Sequence, residues 1–120
     1  KPDLIITHHK NCTNIDHQYL HNAVVVATRP LSKKKNFVIT SEVPSSTGYS
    51  KPSNFEPNLY IALERVDLKN KIKSMNCFST EKRKYPHPRS SKSLEAYAIV
   101  RGVNSYTNYA EAFMIHQQFI

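Results

Sequence analysis

The sequence predicts an α/β sandwich with a mainly parallel sheet. Three observations carry that expectation. Short apolar or β-branched runs alternate with longer segments of helical periodicity, the pattern of strand–helix–strand units. The 120 residues suffice for one domain and are too few for two ordinary ones. Hydrophobic residues make up 39% of the chain and mean hydropathy is −0.54, so a modest core can be buried and the profile is not that of a disordered chain.

The first element is the run Leu4-Ile5-Ile6-Thr7, which reads as a buried strand. His8 to Asn14 is a polar loop, and Asp16 offers a helix N-cap. Tyr19, Leu20, Ala23, Val24, Val26 and Ala27 then recur at helical spacing, until Arg29-Pro30 stops the helix. Phe37 to Val43 reads as a strand by its β-branched content. Residues 44–57 form a Ser/Pro/Asn-rich loop, and Leu59-Tyr60-Ile61-Ala62 is another short strand. Leu68, Ile72 and Met75 mark an amphipathic helix over residues 67–78, with lysines on its outer face. Tyr85-Pro86-His87-Pro88-Arg89 cannot be helical, because two prolines bracket the histidine. Ser90 or Ser91 caps a last helix through Leu94, Ala98 and Val100, with Gly102 expected to end it. Tyr109 to Ile115 reads as a closing strand. A small open sheet that begins with a single strand leaves an edge that invites pairing, so the chain reads as the later portion of a larger α/β domain.

Lys and Arg number 17 against 9 acidic residues, a net charge of +8, which favours anionic partners. Much of it sits in Lys33-Lys34-Lys35, at Lys69, Lys71 and Lys73, and in Lys82-Arg83-Lys84. No aromatic stacking motif is interleaved with these runs, so solvated lysines on helix ends and loops are the plainer reading and nucleic acid is disfavoured. Cys12 and Cys77 form no CxxC pair, which points away from a disulfide scaffold and towards a reducing, cytoplasmic compartment. No apolar run approaches bilayer length, and the N-terminal residues are too polar for a signal peptide. The absence of an initial Met suggests a processed or truncated chain.

Six histidines occur, three of them within the first 17 residues. His8 and His9 follow the carboxyl end of a strand, where open α/β sheets bind ligands. His17 falls in the first turn of the next helix, able to face the same crevice as a zinc ligand or to stand as an ordinary exposed polar residue. His17 and His21 are four apart and share a helix face, but Gln18 stands where a metalloprotease HExxH motif needs Glu. His21 reads as a partly exposed helix residue.

The run Thr7-His8-His9, then Asn14-Ile15-Asp16-His17-Gln18, continuing to Ala27-Thr28-Arg29-Pro30, resembles the second metal motif of the LmbE-like (PIG-L) deacetylases. Glu42-Val43-Pro44-Ser45-Ser46-Thr47, Tyr85-Pro86-His87-Pro88-Arg89-Ser90, Arg101-Gly102 and Tyr109-Ala110-Glu111-Ala112-Phe113 match the same family in order and approximate spacing. The resemblance implies a Rossmann-like three-layer sandwich that removes acetyl groups from N-acetylglucosamine-type sugars with Zn2+. It makes His17 the zinc ligand that follows an aspartate. Many members carry a histidine three residues earlier that stabilises the tetrahedral intermediate, and here that residue is Asn14. An amide can donate a hydrogen bond to an oxyanion but delivers no proton, so His8 or His9 would supply the acid, with His9 preferred. The glycine that often follows the Arg-Gly pair is missing, with Tyr106 in that area.

The family's first motif, an Ala-His-Pro-Asp-Asp-Glu run that supplies two zinc ligands and the general base, is absent from the chain. Residues 1–120 would therefore be the C-terminal portion of one deacetylase domain, inactive alone and partnered by the N-terminal portion. Glu42, His87 and Arg89 are candidate substrate-binding residues. Arg89 can grip a phosphate or carboxylate, which would suit a phosphate- or nucleotide-linked sugar, or can pair with an internal carboxylate such as Glu111. The competing readings are a small basic nucleic-acid-binding domain and an inactive interaction module that keeps the fold.

Overall fold

Capping and punctuation residues set the element order β1 (Leu4–His8), α1 (Ile15–Ala27), β2 (Phe37–Ser41), a 3-10 turn (Thr47–Tyr49), β3 (Leu59–Ala62), α2 (Arg65–Cys77), α3 (Ser91–Ser105) and β4 (Ala110–Gln117). This is the arrangement of the computed structural model, which describes residues 2–31, 35–49 and 55–120. Lys33 and Lys34 of the basic run and residues 50–54 of the Ser/Pro-rich loop lie outside the described residues. The chain divides into two units, residues 1–59 with 113–120 and residues 60–112.

The first unit is built on a parallel pair. Two parallel strands cannot be joined by a tight turn, so the chain crosses over through α1. β1 pairs with β2 from Leu4 opposite Phe37 to His8 opposite Ser41. The other side of β2 takes β4 antiparallel, with Ser41 opposite Phe113 and a register shift between Val38 and Ile39. The sheet has the order β1-β2-β4-β3 and is mixed, which corrects the expected mainly parallel sheet. Periodicity marks β4 as a strand but carries no information about its direction. β1 lies at an edge, and its Leu4 and Ile6 are exposed. Val38, Ile39, Phe113 and Cys12 are buried, together with the polar Thr7, Thr40, Thr47, His9 and His21.

α1 starts two residues earlier than expected. Asn14, not Asp16, is the N-cap: its Oδ1 accepts from the Asp16 N–H at 2.9 Å. Asp16 instead sits in the first turn, where a carboxylate meets the positive end of the helix dipole. The helix stops at Ala27, just before Arg29-Pro30, with the Thr28 N–H donating to the Val24 carbonyl. Its expected apolar face is not what it buries. Tyr19, Leu20 and Val26 are exposed, and the buried residue of the helix is His21.

In the second unit, α2 begins where the Asp67 carboxylate accepts from the Glu64 N–H at 2.9 Å, and Leu68 is its buried residue. α3 is capped by Ser90, whose Oγ accepts from the Ser93 N–H at 3.2 Å. It buries Ser93, Leu94, Ala98 and Gly102. Gly102 does not end the helix. The chain continues to Ser105, and Tyr106 takes the left-handed conformation at the C-cap, with φ of 58°. Gly102 meets another demand: a Cβ there would lie 2.6 Å from the Thr107 carbonyl oxygen and 2.7 Å from that of Asn108.

Candidate functional site

The strand–loop–helix segment from Thr7 to His21 carries most of the chain's histidines. β1 delivers His8 at its carboxyl end, the loop turns through His9 and Cys12, and the first turn of α1 presents His17. The loop is tied down by its own backbone. The Cys12 N–H donates to the His9 carbonyl at 3.2 Å, and the His9 N–H donates to the Ser41 carbonyl at 3.1 Å. Gln18 Nε2 donates to the Cys12 carbonyl at 2.6 Å, and Thr13 Oγ1 donates to the Ser46 carbonyl at 2.9 Å. These bonds fix the loop against both the start of α1 and the segment after β2.

The His8 and His17 rings stack, with centroids 3.8 Å apart. Burial first and the neighbouring His17 second hold His8 below the usual histidine value of 6.5. The ring edge of His17 has a sulfur contact: its Nδ1 lies 3.0 Å from Cys12 Sγ. Cys12 in turn donates to Ser46 Oγ at 2.9 Å. Ser46 comes from the segment Glu42 to Thr47, so two of the separated sequence motifs meet at this point. Glu42 lies half-buried just past the end of β2.

His9 does not join this pair. It is 2% exposed, its ring meets Phe55 edge-on at 5.2 Å, and its Nε2 has no hydrogen-bond partner among the described residues. A ring so enclosed has little access to an external substrate, whereas His8 lies beside His17. Asn14 sits beside His17 in sequence with its Oδ1 committed to the helix cap, leaving only its amide N–H groups to donate elsewhere. His21, expected to be partly exposed, is buried. Its Nδ1 lies 2.9 Å from the His8 carbonyl, and its ring meets His116 edge-on at 5.6 Å. Ser46 and His116 were not legible as site neighbours, because only the pairing of β1, β2 and β4 brings them close, whereas His21 was already on the helix face of His17. The shared motif around Ser46 was the one available signal.

His87 and Arg89 belong to the second unit. The Tyr85–Pro86 peptide is cis, and the turn is closed by the His87 N–H to the Lys84 carbonyl at 3.0 Å. His87 Nδ1 accepts from the Arg89 N–H at 3.1 Å, so the ring's proton resides on Nε2. Arg89 pairs with Glu81, and Glu111 pairs with Lys71 at 2.5 Å. Arg89 thus has an internal carboxylate partner eight residues away in sequence, while Glu111, one candidate for that part, pairs with Lys71. Among the described residues, no group of three His, Cys, Asp or Glu side chains comes together that could hold a metal ion, and no helix is long and apolar enough to cross a membrane. Both cysteines are free thiols, Cys12 buried and Cys77 exposed.

Burial of His9 has a consequence for stability. Loss of solvent, then the charges of His21 and Lys10, hold its value below 6.5. The unfolded chain therefore binds this proton more readily than the folded one as pH falls below about 6.5. The expected result is a lower urea midpoint at pH 5.5 than at pH 7.5, with a shallower decline when His9→Gln removes the titrating ring. A midpoint that rises on acidification would contradict this account.

No protein family, no curated protein and no solved structure matches the chain.

Proposed function

We propose that these 120 residues form the C-terminal portion of a zinc-dependent N-deacetylase with a Rossmann-like three-layer architecture, acting on an N-acetylglucosamine-type sugar. The observation that supports it most is the placement of His8 and His17. Their rings are stacked at the carboxyl end of the parallel pair β1–β2, the location at which α/β sheets bind ligands. Five motifs in family order supply the identity of the chemistry.

His17 suits a single zinc ligand: a half-buried imidazole on a helix turn that is fixed from both sides. A catalytic site needs about three protein ligands, so the remaining ones would come from an Ala-His-Pro-Asp-Asp-Glu run that this chain lacks. Zinc bound there would activate water and polarise the acetamide carbonyl. His8 and the Asn14 amide flank His17 as hydrogen-bond donors for the oxyanion that develops on that carbonyl. Burial first and the neighbouring His17 second favour the neutral form of His8, which would act through its N–H. Glu42, at the end of β2, would contact the sugar hydroxyls. His87 and Arg89 lie in the second unit and are proposed as substrate contacts of that unit taken by itself, with Nε2–H of His87 as donor.

The test joins this chain to the segment that bears the missing run and measures acetate release from N-acetylglucosaminyl substrates. Release that stops on chelation and returns with stoichiometric zinc is expected. Acetate release by residues 1–120 alone, or release indifferent to chelation, would overturn the reading.

A further inference from the structure

The connection between α2 and α3 in the second unit gathers charge and exposed rings in one short stretch. From residue 78 to residue 92 there are five Lys or Arg and a single acidic residue, Glu81, whose carboxylate is taken by Arg89. The charge of Lys82-Arg83-Lys84 is therefore not cancelled within the stretch. Residues 76–86 are all exposed. An aromatic ring stands at each end of the basic run, Phe78 at 62% exposure and Tyr85 at 61%. A single exposed ring needs no explanation, but two that bracket a basic run match the composition of segments that rest in a membrane interface.

The stretch is held in shape by its own hydrogen bonds. The Glu81 and Lys82 N–H groups both donate to the Phe78 carbonyl, at 2.9 and 3.0 Å, which folds the basic run back towards the residue that bears the first ring. The His87 N–H donates to the Lys84 carbonyl at 3.0 Å and closes the other end. Arg83 Nη1 donates to the Thr80 and Lys82 carbonyls. From the first turn of α3, Lys92 Nζ lies 4.4 Å from the Tyr85 ring centroid. A surface set in advance loses little ordering entropy when a partner arrives.

We propose that the connection from Phe78 to Lys92 docks on an anionic phospholipid bilayer, with Lys82, Arg83 and Lys84 attracting the headgroups and the Phe78 and Tyr85 rings entering the headgroup boundary. Nucleic acid is served less well by the same residues. Arg83 spends one arm of its guanidinium on backbone carbonyls, which spoils the fork that grips a phosphate, and Lys92 covers a face of Tyr85 on which a base would stack. A bilayer needs only diffuse positive charge and amphipathic rings. The proposal does not depend on the deacetylase reading.

The test uses the 120-residue chain with phosphatidylcholine vesicles, with and without about 30% phosphatidylserine. Co-sedimentation is expected with the anionic vesicles alone, and it should weaken as salt rises from about 0.1 to about 0.5 M. Lys82→Gln with Lys84→Gln, which leaves the carbonyl bonds of Arg83 in place, should weaken binding about 10–30-fold. Phe78→Ala with Tyr85→Ala should weaken it about tenfold. Lys33→Gln with Lys34→Gln removes the same charge elsewhere and should leave most of the binding. Because the chain has no tryptophan, Phe78→Trp reports on one position. Its emission should shift to the blue on anionic vesicles and be quenched by brominated acyl chains. Circular dichroism should be unchanged in every variant, since the altered side chains are exposed or lie in the basic run. Absence of binding, equal binding to neutral vesicles, or an equal loss in the Lys33 and Lys34 variant would overturn the proposal. So would an unshifted Phe78→Trp emission, or a single-stranded oligonucleotide that binds more tightly than the anionic vesicles.

Discussion

A Gly102→Ala chain will unfold at a lower urea concentration than the native one, by the equivalent of up to about 2 kcal/mol once alanine's helix propensity is set against the overpacking. The added methyl would stand 2.6 Å from the Thr107 carbonyl oxygen, 2.7 Å from the Asn108 oxygen and 2.8 Å from the Asn108 carbonyl carbon. All three are backbone atoms, so no side chain can rotate aside. The Thr107 N–H also donates to the Gly102 carbonyl at 2.9 Å, which ties the obstructing segment to the helix it would have to leave. Alanine's better helix propensity returns about 1 kcal/mol at an interior position, less than the displacement costs. Val103→Ala, at a site 73% exposed on the same helix turn, is the comparison and should fall within about 0.5 kcal/mol of the native chain. Equal midpoints for Gly102→Ala and Val103→Ala would refute the close-approach account.

Gly102 also shows where local reading of the sequence runs out. A glycine near a helix end has two physical uses, a left-handed cap or a place for another backbone to approach. Only the tertiary path of Thr107 and Asn108 selects the second, and the left-handed position falls to Tyr106. Features governed by a few neighbouring residues were legible: the Ser90 cap, the stop before Arg29-Pro30, the rigid turn at His87 and the order of strands and helices. Features that depend on distant residues were not. His21 scores as polar, but its ring finds the His8 carbonyl and becomes the buried residue of α1, while Tyr19, Leu20 and Val26 remain exposed. Arg89 had several carboxylates open to it, and chain geometry selected Glu81. The direction of β4 follows from its pairing with β2, which no periodicity encodes. In the candidate site, His17 could be singled out from its neighbours in sequence. The thiol of Cys12 and the hydroxyl of Ser46, which meet beside His17, are 34 positions apart, beyond any local pattern.

Replacing His17 by alanine should abolish zinc retention in the protein that carries the complementary metal motif. Loss of an outer-shell partner typically weakens metal binding about 10–100-fold, and loss of a ligand itself must exceed the upper end of that range. A site reduced to two protein ligands no longer meets the catalytic pattern of three plus water, so acetate release should fall below about 1% of the native rate. The fold should survive. The ring is half-buried, its one hydrogen-bond partner among the described residues is Cys12 Sγ, and α1 keeps the Asn14 cap and the buried His21. Circular dichroism and the urea midpoint therefore serve as controls, and zinc measured by mass spectrometry against protein concentration is the readout. His21→Ala gives the opposite pattern. It removes a buried ring and its bond to the His8 carbonyl, so it should lower stability while zinc, in whatever fraction remains folded, stays stoichiometric. The two variants separate a ligand from a packing histidine on the same helix. Unchanged zinc content in His17→Ala would mean that the imidazole beside Cys12 and His8 serves packing, and the hydrolase reading would fall with it.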